Sequence, residues 1–73
     1  MMTRAEHLAW SKERALEYVD AGDLVQAAAS MGSDLHKHPE LEDHPGLELM
    51  MLQLMGGMLN TPADMRHYIE GFN

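Results

Sequence analysis

The sequence predicts an all-α fold, a compact bundle of four short helices in one domain covering residues 1–73, and three observations carry that prediction. Helix start signals recur ahead of each apolar run. Within the runs the apolar residues fall at spacings of three, four and seven. No alternating β-branched stretch of the kind that builds strands occurs anywhere.

Thr3 and Glu6 form an S/T-x-x-E capping box, so the first helix is predicted to begin at Arg4 and reach about Asp20. Gly22 supplies the left-handed residue that stops it. Its core stripe reads Ala5, Leu8, Ala15, Leu16 and Val19. Asp23, with Gln26 repeating the box, opens a second helix over 24–37, antiparallel to the first. Leu24, Ala27, Ala28, Met31 and Leu35 are predicted to be buried there, with Gln26, Ser30, Ser33 and Lys37 on the wet side. Pro39 ends the helix, because the residue before a proline avoids helical geometry.

The segment 38–46, HPELEDHPG, reads as a loop, and Pro45 suits the first position of a third helix. That helix lies in LELMMLQLMGGML (47–59), where only Glu48 and Gln53 interrupt the apolar character. A helix that is apolar all round has no watery face, so it must be covered by the other elements or by another copy of the chain. Leu47, Met51, Leu54 and Met58 are predicted to face the first two helices. Leu49, Met50, Leu52 and Gly56 are then the expected contacts of a two-fold dimer, the glycine allowing close backbone approach. Asn60-Thr61-Pro62 starts a fourth helix over 62–70, with Asp64 favouring its N-terminal dipole and Met65, Ile69 and Phe72 buried.

Composition narrows the function classes. Twelve acidic against five basic side chains give a net charge of −7, which disfavours nucleic acid and anionic membranes. There is no cysteine, so neither a disulfide framework nor a thiolate zinc site is available. Met1-Met2-Thr3-Arg4 leads into a charged segment rather than an apolar one, and 47–59 is too short to span a bilayer. A cytoplasmic protein is expected. No cysteine nucleophile, G-x-S-x-G elbow or glycine-rich phosphate loop is present, so no enzymatic activity and no cofactor are expected.

Two groups of residues remain as candidate sites. A helical wheel places Trp10 opposite Leu8, Ala15 and Val19, among Glu6, His7, Glu13, Arg14 and Glu17. A tryptophan on a charged face has the character of a partner anchor, with Arg14 and Glu17 beside it. The alternative is that the fourth helix or the N-terminal residues cover the ring. His36, His38 and His44 cluster with Glu40, Glu42 and Asp43 and would be the ligands of any metal site. Two histidines two residues apart point away from each other on a continuous helix, so no metal centre is expected.

Ala15, Tyr18, Gly22, Ala27, Met31 and Pro39 fall at spacings that resemble one tetratricopeptide hairpin over 4–39, with Asp34 and Ser11 departing from the motif. The resemblance implies packing geometry only, since such arrays need about three repeats for stability. Arg4-Ala5-Glu6-His7-Leu8, Arg14-Ala15-Leu16-Glu17-Tyr18 and Ile69-Glu70-Gly71-Phe72-Asn73 resemble a group of small proteins encoded by phages of actinobacteria. That likeness implies a phage origin and, by analogy, a module that binds and modulates a host protein. The rival expectations are a structural homo-oligomer in phage assembly and a His/carboxylate metal-binding domain.

Overall fold

A computed structural model describes residues 2–73 and contains four helices in chain order: α1 (Arg4–Asp20), α2 (Leu24–Leu35), α3 (Pro45–Met55) and α4 (Pro62–Glu70). No strand occurs among the described residues. The N-cap of α1 is the full capping box: Thr3 Oγ1 accepts from the Glu6 amide at 3.1 Å, and Glu6 Oε1 accepts from the Thr3 amide at 3.0 Å. The Thr3 amide, which bonds only the ionised carboxylate this well, holds the Glu6 carboxyl below its ordinary value. Asp23 accepts from the Gln26 amide and Thr61 from the Asp64 amide, each at 3.1 Å. Gly22 and Gly57 both sit at φ 79°. Each is the left-handed residue of a Schellman turn, with Asp23 N–H donating to the Tyr18 carbonyl and Met58 N–H to that of Gln53, both at 2.9 Å.

The hairpin of α1 and α2 is the largest helix pair, and α4 packs across it while α3 leans mainly on α2. Their shared core comprises Leu8, Ala15 and Val19 from α1, the predicted Ala27, Ala28, Met31 and Leu35 from α2, and Met65, Ile69 and Phe72. Ala27 and Ala28 are almost wholly buried, and such short side chains let the two helix backbones come together.

Several expectations are corrected. The buried stripe of α1 is turned away from Ala5, which is exposed, towards Ser11 and His7, which are buried. Ser11 tolerates burial because its hydroxyl donates to the His7 carbonyl at 2.9 Å. The second helix ends at Leu35 rather than Lys37, because His36 caps it and the chain continues in turns towards Pro39. Ser30 lies on the partly covered side of α2 rather than the wet side, and its hydroxyl is buried without a partner. On α3 the covered stripe is Leu47, Met50 and Leu54, whereas Met51 and, beyond the helix, Met58 face solvent. Gly56 and Gly57 end the helix and turn the chain. Two buried residues carry no periodic signal: Leu41 plugs the 36–44 connection and Leu59 the turn before α4.

Candidate protein-binding surface

Trp10 stands at the edge of a polar cluster between the N-terminal half of α1 and the C-terminal end of α2. Its ring is partly buried. The Arg14 guanidinium lies 4.9 Å and the Lys37 ammonium 5.7 Å from its centroid, and the His7 ring is 5.3 Å away. Both cations converge on Asp34, whose side chain is almost fully buried: Arg14 Nε donates to Oδ2 at 2.7 Å and Lys37 Nζ to Oδ1 at 3.3 Å. His7 Nε2 meets the Asp34 carbonyl oxygen at 2.5 Å. The carbonyl can only accept, so that nitrogen carries the proton.

Asp34 is the residue that organises this cluster, and it went unrecognised in the sequence, where it appeared only as a departure from a helical-repeat pattern. Arg14 and Lys37 hold it from two sides, which satisfies a charge that would otherwise be costly to bury. Trp10 is thus stacked under its own chain's cations. Arg14 is engaged in an internal ion pair, and Glu17, one turn on, is exposed.

The three candidate metal ligands are not brought together. His36 is an exposed C-cap. His38 Nδ1 accepts from the Glu40 amide at 3.1 Å, and its ring lies 5.2 Å from that of His7. His44 caps α3, its Nδ1 accepting from the Gly46 amide at 3.0 Å while Nε2 lies 2.9 Å from the Asn73 carbonyl oxygen. That carbonyl accepts, so His44 is held as the Nε2–H tautomer, with Nδ1 already spoken for. Among the described residues no group of three His, Asp or Glu side chains is placed to hold a metal ion.

The third surface is the outward side of α3. Leu49, Met51, Leu52 and Met55 are exposed there, Leu52 by 61% and Met55 by 81%, and Met58, past the turn at Gly57, is exposed as well. At roughly 60–120 Å² of apolar surface per large side chain when fully bared, the row exposes a few hundred Å². That is about the largest apolar patch a soluble monomer ordinarily exposes, and the largest such patch is often functional. Of the four predicted dimer contacts, Leu49 and Leu52 lie on this surface. Met50 does not: it is 0% exposed and belongs to the chain's own core, because α3 leans on α2 through it. Gly56 is exposed at the helix end, where a Cβ would come within 3.2 Å of the Leu52 carbonyl oxygen.

Beside this row, a groove of about 420 Å³ runs between α2 and α3. Its walls include Gly32 of α2, Met50 and Met51 of α3, and the carboxylates Glu42, Asp43 and Glu48. No helix is long and apolar enough to cross a membrane. No protein-family model, curated protein or solved structure matches this chain.

Proposed function

We propose that this chain is a protein–protein interaction module whose docking surface is the outward side of α3. The single observation that carries the reading is the exposure of Leu49, Met51, Leu52 and Met55, neighbours at helical spacing on one side of α3. Methionine is unbranched and polarizable, so such a surface adapts to an irregular partner. The Trp10 face is the weaker docking candidate, because Arg14 and Lys37 already stack on the ring and pair with Asp34. The likeness to actinobacterial phage proteins makes a host cytoplasmic protein the partner to seek, bound so as to occlude a surface of its own.

The test compares immobilised wild type, Trp10→Ala and Leu52→Gln/Met55→Gln as baits in a host lysate. The last pair of changes replaces exposed side chains, so helicity is expected to stay as in wild type. A species retained by wild type and Trp10→Ala but lost by the α3 variant supports the reading. Equal retention by all three, or loss on Trp10→Ala alone, overturns it.

A second reading, a symmetric pair of copies joined through the same side of α3, is favoured by the exposure of Leu49 and Leu52. Light scattering coupled to size exclusion separates the two readings: a mass near 8.2 kDa at high concentration removes the pair.

A further inference from the structure

The groove between α2 and α3 differs from the rest of the surface in combining a methionine-bearing wall with a rim of one charge. Glu42, Asp43 and Glu48 line it together with the imidazoles of His36 and His44, and no lysine or arginine does among the described residues. A Cβ on Gly32 would meet nothing within 4 Å, so the space above that part of α2 is open. Met51 belongs both to the groove wall and to the exposed apolar row. The groove and the row are therefore one continuous surface, apolar along its middle and acidic along one side.

We infer that the occupant of this surface is an amphipathic helix of a partner protein, apolar on one face and rich in lysine or arginine beside it. This rests on the reading of the α3 side as the docking surface and adds the chemistry of what docks. Helix-in-groove recognition needs an apolar strip to take anchors at i, i+3, i+4 and i+7. α3 is 11 residues long, about 16 Å at 1.5 Å per residue, enough for anchors over three turns. Charge selects the partner's sign: the rim and the net −7 both attract cations and repel a like-charged face.

The same argument disfavours a second copy as occupant. This chain's basic side chains are five in number. Arg14 and Lys37 are held on Asp34, Arg66 pairs with Asp20, and Lys12 donates to the Glu70 and Phe72 carbonyls. Arg4 donates to the Asn73 carbonyl at 2.7 Å. Among the described residues, Arg4 and Lys12 alone carry charges not paired with a carboxylate. α3 itself has no lysine or arginine, so a twin docking by the same side brings no cation of its own α3 to the acidic rim.

The experiment uses the intact chain carrying ¹³C-methyl methionine and three synthetic peptides of about fourteen residues, α3's length plus a turn. One is leucine and lysine at helical spacing, the second leucine and glutamate in the same pattern, and the third a scrambled leucine–lysine sequence. The inference expects saturable methyl shifts at Met51 and Met55 with the first peptide, leaving the remote core Met65 unmoved. The glutamate and scrambled peptides should bind at least about tenfold more weakly, and added salt should weaken the first. Glu42→Gln/Asp43→Asn/Glu48→Gln should lower affinity for the basic peptide about tenfold, and Leu52→Gln/Met55→Gln should abolish binding.

Equal binding of the basic and acidic peptides overturns the charge selection and leaves α3 as a docking surface. So does self-association that excludes the peptide, which assigns the surface to a second copy. Shifts centred away from α3, or none with any peptide and no self-association, overturn this inference and the docking reading together.

Discussion

Gly32 and Gly46 show how the same substitution takes opposite signs in one small protein. Both lie within helices at ordinary negative φ. A Cβ at Gly32 meets open space, whereas one at Gly46 comes within 3.0 Å of both Phe72 Cε2 and His44 Nδ1. Gly32→Ala is therefore expected to stabilise the fold by about 0.5–1 kcal/mol through helix propensity and a less free unfolded chain. Gly46→Ala is expected to destabilise by about 1–3 kcal/mol, because the phenyl ring and the capping imidazole must both give way. Urea midpoints of the two variants against wild type test the pair, and a shift of the same sign in both would refute the packing argument. At this scale the sequence was silent on what mattered. Neither Gly46's surroundings nor the burial of Asp34 can be read from neighbours in the chain alone, since each depends on a contact from 20 or more residues away: Arg14 on Asp34, and Phe72 beside Gly46.

Helix starts were legible because their chemistry is local. Thr3 with Glu6, Asp23 with Gln26 and Thr61 with Asp64 each close a hydrogen bond across three residues, and the helices begin where those bonds place them. The rotational phase of α3 was not legible, for the reason that made the segment conspicuous. A helix apolar on every side has no periodic signal to say which side is inward. Tertiary contact chose Leu47, Met50 and Leu54, and so Met50 left the predicted dimer surface for the core. The Tyr68 hydroxyl fastens α4 to the start of α3 by donating to the Gly46 carbonyl at 2.9 Å, and the His44–Asn73 hydrogen bond does the same just past α4. Burial also raises the Tyr68 pKa above its ordinary value of 10.0, since the phenolate would lose water. A raised pKa contributes stability that is fully present below the unfolded value and is lost as pH rises through the folded one. Tyr68→Phe should therefore cost about 1 kcal/mol at neutral pH, and its stability should fall less than wild type's above about pH 10. Thermal melts of both proteins between neutral and alkaline pH check this, and parallel alkaline losses would assign the effect to other groups.

For the whole molecule, the accessible surface is 4542 Å² for 8.2 kDa, against about 4,500 Å² expected for a folded monomer of that mass. The chain closes as compactly as a self-standing monomer even though the outer side of α3 is left uncovered. The expectation that a third helix apolar all round needs company thus becomes a statement about one face of it: Leu47, Met50 and Leu54 go inward, and Leu49, Met51, Leu52 and Met55 are left exposed. Closure depends heavily on one late residue. Phe72 is 5% exposed, stacks edge-on against Tyr68 of α4 at 5.5 Å, and lies 5.0 Å from the His44 ring at the start of α3. Its backbone carbonyl accepts from Lys12 of α1 at 2.6 Å. One side chain and its own peptide group thereby join three of the four helices. Phe→Ala in a packed core costs about 3–5 kcal/mol, and a single core of this size supplies no more than about 3–5 kcal/mol in total. Phe72→Ala is accordingly expected to abolish the cooperative thermal transition and leave a partly helical, expanded chain. A loss of this kind is global, so amide exchange should rise in α1 and α4 alike and not only in the last turn. Circular dichroism melts and hydrogen exchange on the variant decide it: a sharp transition within a few degrees of wild type would show that the helices cohere without this ring, and that the α1–α2 hairpin alone holds the fold.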